Sequence, residues 1–305
     1  MTDHAADSTE DRLRDWARDL GLAAIGFAPA APAQGQAAFL AWLDAGCAAG
    51  MDYLRRQAPL RDDPRRLQPE ARTVICVAAH YPAPPAPGAG FASYARNRDY
   101  HDVLGDKLRA LAARLRSEYP RLKSRVAVDS APLPEREWAV RAGLGWLGRQ
   151  GQLIHPQHGA CLVLGELLVD IALAPSPAVP NQCGDCRCCL TACPTGALGA
   201  DGHVDARRCL AYLTIEHDGP IPAEFHGALG TALFGCDRCT AVCPWNTVEP
   251  GVVLPEFQPQ PMPSAADLLA MDEAAFAQRF RGTPIARSGL ARLQRNARIV
   301  QVNGG

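Results

Sequence analysis

The chain lacks the marks of a membrane-spanning or exported protein. No run of about 18 or more apolar residues occurs, the length a helical span needs. Residues 1–18 are polar and charged, with Trp16 their only large aromatic residue, so no secretory leader is expected. Net charge is lacking too. Lys and Arg number 31 and Asp and Glu 32, so no global field steers the chain toward nucleic acid or membrane, and any such contact must come from a local patch. What is present is an ordinary hydrophobic fraction, 48% of 305 residues, enough for a large core and one to three domains. Cysteine is plentiful but uneven. Of twelve, nine fall between Cys183 and Cys243; the others are Cys47, Cys76 and Cys161. Without a leader this is a poor disulfide framework, and it predicts a cytoplasmic protein that uses its thiols for metal.

Cys183, Cys186, Cys189 and Cys193-Pro194 have the spacing C-x2-C-x2-C-x3-C-P, that of a bacterial ferredoxin run. Three thiolates converge from one loop onto one cluster. The fourth, before Pro, is carried away and typically serves the other cluster of a pair. A second run, Cys236-x2-Cys239-x3-Cys243-Pro244, lacks its first Cys, because that place is taken by Leu233. Cys209 fills the gap. The expected sets are Cys183, Cys186, Cys189 and Cys243 for one 4Fe-4S cluster, and Cys193, Cys209, Cys236 and Cys239 for the other. Cys188 is left over as a small apolar neighbour. Zinc also binds CxxC pairs, but the x3-C-P ending, present twice, favours iron–sulfur.

Before this block, helix and strand signals alternate. Leu13, Trp16, Ala17 and Leu20 recur at helical spacing, and 23–28 and 73–79 read as buried strands. Residues 82–90, rich in Pro and Gly, read as a loop. Leu104, Leu108, Leu111 and Leu115 mark an amphipathic helix, and 125–128 a short strand. Asp129-Ser130-Ala131-Pro132 has the look of a helix N-cap. Residues 162–173 read as strand with a break at Gly165, and Glu166 is unusual there: if buried, it needs partners or a proton. Residues 175–180 form a Pro-rich linker. After Glu273 no acidic residue occurs, while Arg279, Arg281, Arg287, Arg292, Arg295 and Arg298 remain. Such a one-signed segment suits a polyanion, through phosphate contacts that carry no sequence readout.

Together these segments resemble one family. Gly50-Met-Asp-Tyr-Leu54, Asp99-Tyr-His101, Asp129-Ser-Ala-Pro with Glu135-Arg136, residues 143–148 (GLGWLG), residues 164–167 (LGEL), the two cysteine runs ending Cys243-Pro-Trp-Asn246, and Arg295-Asn-Ala297 are similar, in order, to epoxyqueuosine reductases. The resemblance implies an α+β fold in three parts. These are an α/β cobalamin-binding and catalytic domain over 1–174, a two-cluster ferredoxin-like domain over 175–250, and a short helical basic segment over 251–305. It implies cobalamin as a cofactor beside the two clusters, a tRNA anticodon stem-loop carrying epoxyqueuosine as substrate, and an external low-potential electron donor, in a monomer. It implies Asp129 as proton donor, a role that a desolvated, partly protonated carboxyl would suit. Arg56 falls where the family places an Arg suited to the cobalamin phosphate, and Tyr100 and His101 match in place. Gly165 is expected to let backbone approach the corrin, and the Thr214 hydroxyl to bond a cofactor amide. His155, which stands where the family usually has Asn, is expected to hydrogen-bond the corrin rather than ligate cobalt; Gln150 also replaces a usual Asn. Arg281, Arg287, Arg292, Arg295 and Arg298 are the expected tRNA contacts. The rival readings are a reductive dehalogenase-like enzyme, a ferredoxin-type electron carrier without its own catalysis, and a zinc-stabilised RNA-binding module.

Overall fold

The computed structural model describes residues 8–84, 90–247 and 253–304, so most of the expected loop at 82–90 lies outside the described residues. Helix α1 (Thr9–Asp19) is capped by Ser8, whose hydroxyl accepts the Asp11 N–H, and it buries Leu13 and Ala17. β1 (Ala24–Pro29), α2 (Gln36–Asp44) and α3 (Asp52–Arg61) follow, then β2 (Thr73–His80), buried at every position. α4 (Tyr100–Glu118), β3 (Ser124–Ala127), α5 (Glu135–Arg141), the ribbon β4 (Trp146–Leu147) with β5 (Leu153–Ile154), and β6 (Leu162–Val169) complete the first half.

β1, β2, β6 and β3 form one sheet in that order, antiparallel at each pairing. Side chains alternate across it. Ile75, Val77 and Leu167 pack with Leu13 of α1 and with Leu104, Leu108, Leu111 and Leu115 of α4. Val74, Cys76, Leu164 and Leu168 pack with Trp138 and Ala139 of α5. Helices on both faces explain why β2 is a continuous apolar run and β6 is apolar on both faces apart from Glu166. Gly165 does not break β6: it pairs with Val77, and a Cβ there would meet Leu108 at 3.0 Å and Val128 at 3.3 Å. Glycine at this place admits α4 to the sheet.

The second half is built of short helices: α6 (Cys188–Ala192), α7 (Leu210–Ile215), α8 (His226–Leu229), α9 (Arg238–Ala241), α10 (Ala265–Ala270), α11 (Glu273–Arg279) and α12 (Leu290–Val302). The C-terminal helices are not a separate appendage. Phe276, Phe280, Leu293 and Ala297 share one core with Leu210, Leu213, Phe225 and Phe234, while Leu254 and Phe257 enter the core of the first half. No described helix is long and apolar enough to cross a membrane.

Candidate active site

The site is built from two chain reversals. At the first, Asp99 is the N-cap of α4 and accepts the His101 N–H at 3.0 Å, as an N-cap Asp should. The same carboxylate oxygen lies 2.6 Å from His101 Nδ1. The cap therefore fixes the imidazole, and Asp99 itself is 8% exposed. At the second, the chain leaves β3 and places Asp129 at φ 47°, a left-handed conformation that Asp tolerates better than most residues. Asp129 is thus not the cap its local sequence suggested, since α5 starts only at Glu135, after Pro134. Instead its N–H donates to Glu135 Oε1, and its Oδ2 faces His101 Nε2 at 3.0 Å.

Arg287 closes the group from the C-terminal segment. Its Nη2 lies 3.0 Å from Asp99 Oδ2 and its Nη1 2.8 Å from His101 Nε2. One ring nitrogen cannot donate to Asp129 and accept from Arg287 at once. As an imidazolium, His101 gives its Nε2 proton to Asp129; as a neutral ring it accepts from Arg287. Burial pushes His101 down, but hydrogen bonds to Asp129 and Asp99 outweigh it and raise the group to about 9.

Asp129 differs here from expectation. Although 53% of its side chain is open to water, desolvation is the largest influence and pushes it up. The hydrogen bond and charge of His101, the Tyr100 hydroxyl and Arg287 together overcome that, and the carboxyl is held below its usual range. At neutral pH the proton therefore rests on His101, not on Asp129. Two other carboxyls are shifted the opposite way. Glu135 is raised to about 7, by burial and then by the Asp129 charge. Glu166 is fully buried and raised well above the carboxylate range, by burial and then by Glu135 and Asp129. Sequence reasoning missed the site role of Arg287 and gave no signal for Arg61; Tyr53 stood in a family-like segment without a role, and the ionisation of both Arg61 and Tyr53 responds to Asp129.

The other expected cofactor contacts divide. Arg56 is exposed on α3 and makes no ion pair among the described residues. Tyr100 hydrogen-bonds Asp129 and stacks on His101, with ring centroids 4.1 Å apart. His155 accepts the N–H groups of Gln157 and His158 on Nδ1, stacks on His158, and is pushed by burial to about 4, so the ring is neutral with its proton on Nε2. On the side where a Cβ would stand, the space beside Gly165 is taken by Leu108 and Val128. Thr214 is fully buried, and its hydroxyl donates to Leu210 O at 2.7 Å and accepts the Gly235 N–H at 2.9 Å.

The cysteines form two groups. Cys243 lies among Cys183, Cys189 and Cys186, close enough for their charge to bear on it, and Trp146 Nε1 donates to Cys183 Sγ at 3.4 Å. Cys239 has Cys236, Cys209 and Cys193, and Cys193 Sγ accepts the Ala197 N–H at 3.3 Å. The exposed Cys188 touches Cys186. Of the five arginines expected on tRNA, Arg281 and Arg298 are exposed, Arg287 joins the site just described, and Arg292 pairs with Asp218 at 2.6 Å. Arg295 is structural: its guanidinium donates to the carbonyls of Leu213, His217 and Gly219 and to Asn296 Oδ1.

A family model described as "Epoxyqueuosine reductase QueG, DUF1730" matches residues 61–130, and one described as "4Fe-4S double cluster binding domain" matches residues 182–246. The epoxyqueuosine reductase of Vibrio cholerae is 39% identical, with 96% of this chain and 83% of that protein covered. That of Escherichia coli is 37% identical, with 96% and 80% covered. Among solved structures, an epoxyqueuosine reductase with a tRNA-Tyr epoxyqueuosine-modified stem loop matches at TM-score 0.89 and 30% identity, over 96% of this chain and 81% of that one. The Bacillus subtilis enzyme, with its catalytic Asp loop swung out of the active site, matches at 0.88 and 29%, over the same shares.

Proposed function

The chain belongs to the epoxyqueuosine reductase family, and from that membership we propose how its residues reduce epoxyqueuosine to queuosine in the anticodon loop of a tRNA. The reaction takes two electrons and two protons. Both C–O bonds of the epoxide break, a C=C bond forms, and the oxygen leaves as water.

Electrons come from an external low-potential donor through two 4Fe-4S clusters. Cys183, Cys186, Cys189 and Cys243 would hold one cluster, and Cys193, Cys209, Cys236 and Cys239 the other; the neighbours of Cys243 and Cys239 support this exchange of the last cysteines. The Trp146 and Ala197 N–H groups donate to thiolates and so stabilise added negative charge.

Cobalamin, when bound, supplies low-valent cobalt chemistry that no side chain offers. The residues fit such a ligand. Gln150 Nε2, Arg149 Nε, His158 Nδ1 and His80 Nδ1 are buried polar nitrogens with no partner among the described residues, which suits a ligand rich in carboxamides. His155, stacked on His158, offers a further N–H, and Arg56 is exposed and makes no ion pair among the described residues, which suits a phosphate.

The observation that carries the mechanism is the Asp99–His101–Asp129–Arg287 network. Asp129 presents the proton at the leaving oxygen, and His101, held by Asp99, supplies it. When Arg287 becomes the partner of Nε2, the ring is stabilised as neutral and the proton stays on Asp129. The wobble nucleotide is splayed from a single-stranded loop, which costs little. Arg281 and Arg298 remain free for its phosphates. A first domain over 1–174, the cluster block over 175–250 and the C-terminal helices serve these three tasks in turn.

The test is anaerobic incubation of the reconstituted protein, cobalamin and a one-electron reductant with an epoxyqueuosine-containing stem loop. Nucleoside mass spectrometry is expected to show loss of one oxygen. A protein that takes up clusters and cobalamin yet leaves the nucleoside unchanged would make it an electron carrier instead.

A further inference from the structure

One stretch of chain, residues 90–101, touches both the second cysteine group and the His101–Asp129 pair. At its start it lies against residues 233–237. The N–H groups of Leu233 and Phe234 donate to Gly90 O, at 2.6 and 3.0 Å, and the Ala92 N–H donates to Phe234 O at 2.8 Å. The approach is as close as glycine permits. Gly235 has φ 74°, and a Cβ on it would meet Ala92 Cβ at 2.5 Å. The next bond is of a different kind. The Ser93 N–H donates to Asp237 Oδ2 at 2.7 Å, and Ser93 is 4% exposed. Ser93 opens a 3-10 turn (Ser93–Arg96) whose N-cap is Ala92. Alanine has no side-chain acceptor, so the first N–H of the turn takes its cap from a residue 144 positions away. That residue, Asp237, stands between Cys236 and Cys239, two of the ligands expected for the second cluster.

From this turn the contacts run on to the acid. Tyr94 packs against Phe234 on one side and edge-on against Tyr100 on the other, with ring centroids 6.4 and 5.9 Å apart. The fully buried Asn97 donates from Nδ2 to Ser93 O at 3.0 Å, and the Asp99 N–H donates to Gly282 O at 2.7 Å. Tyr100 in turn stacks on His101 and hydrogen-bonds Asp129. The groups that face the His101 ring are Asp99 and Tyr100 at the start of α4, Asp129 beyond β3, and Arg287 from the C-terminal segment.

We propose that Asp237 is a positioning residue for the acid: it anchors residues 93–101 to the cysteine loop, so that the loop meant to hold an electron carrier also sets the placement of His101 against Asp129. This rests on the reading of His101 and Asp129 given above. His101 keeps its proton because hydrogen bonds to Asp129 and Asp99 outweigh burial. Such bonds weaken steeply with distance and angle, whereas burial does not. A turn released from Asp237 lets Tyr94 move, Tyr100 follows, and the ring shifts against Asp129. Burial then gains, and the proton affinity of His101 falls.

The test compares Asp237→Ala with Asp237→Asn in the cluster-loaded protein. Asn loses the charge but keeps an oxygen for the Ser93 N–H, whereas Ala loses both. Imidazole NMR of wild type is expected to titrate His101 at about 9. In Asp237→Ala the midpoint should fall by about one pH unit and kcat at pH 8 about tenfold, with KM for the stem loop unchanged. Asp237→Asn should keep the wild-type midpoint. A wild-type midpoint in the Ala variant overturns the proposal, and so does an equal shift in both variants, which would make the effect one of charge. Iron per chain is measured in each. If the Ala variant loses iron, Ser93→Pro decides from the other side, with the cysteine loop unaltered. Proline has no N–H to donate and suits the first position of the turn, and Ala92, at φ −56° and ψ 139°, already has the extended backbone required before it. It should reproduce the downward shift, and an unshifted ring overturns the proposal. If wild type itself leaves the nucleoside unchanged, the functional reading falls, while the ring titration still decides what Asp237 does to His101.

Discussion

Asp129 carries its charge because three neighbours outweigh its desolvation, and the same balance puts a proton on His101. The sign follows from linkage. His101 is raised from 6.5 to about 9 in the folded state, so its contribution is fully present below about pH 6.5 and is lost as pH rises through 9. That contribution is at most about 3 kcal/mol. Asp129→Asn removes one of the two carboxylates that raise the ring. The variant should keep its clusters, lose conversion of the nucleoside, and show a flatter fall of Tm between pH 6.5 and 9 than wild type. Wild-type turnover by this variant would remove Asp129 from the chemistry. Sequence reading at this scale found Asp129, Tyr100 and His101 but not the protonation states. Those depend on charges that arrive from residue 287, far along the chain.

At the scale of elements, α12 shows how composition misleads. Its arginines look alike in sequence, and the local absence of acid pointed to a polyanion. In the fold, Arg295 and the fully buried Asn296 sew the helix to the end of α7, with Asn296 Nδ2 donating to Thr214 O and Leu233 O. Arg295→Ala leaves three carbonyls without a donor and is expected to cost about 2–4 kcal/mol in urea unfolding. Arg298→Gln, on the exposed face, should leave the midpoint unchanged while reducing the salt dependence of stem-loop binding. Equal midpoints for the two variants would return Arg295 to the surface. The apolar side of the same helix follows the helical period, with Leu290, Leu293 and Ala297 buried.

For the whole molecule, the proposed exchange of cysteines between the two runs has a measurable consequence. Cys243 lies beside the group begun at Cys183, about sixty residues earlier in the chain. Cys243→Ser should therefore remove the cluster of the first run and spare that of the second, halving iron per chain from about eight to about four. Retention of the first cluster, with loss confined to the second, would reverse the assignment. The core containing α12 also contains α7 and Phe91, so the C-terminal helix is packed against residues far from it in the chain.

The sequence by itself determined what is local. Ligand spacing in a tight loop, helical and strand periodicity, and an acid too deep in an apolar run are all set by neighbours within a few positions. Even the vacancy at Leu233 pointed to Cys209 by counting. The tertiary structure decided what depends on through-space neighbours. It put Leu108 beside Gly165, bonded the Thr214 hydroxyl to Leu210 and Gly235, turned Arg295 inward, brought Arg287 to His101, and left Glu166 without a partner among the described residues. Hydrogen-bond competition and burial act on whichever atoms the fold brings within about 4 Å, and no pattern along the chain records which atoms those will be.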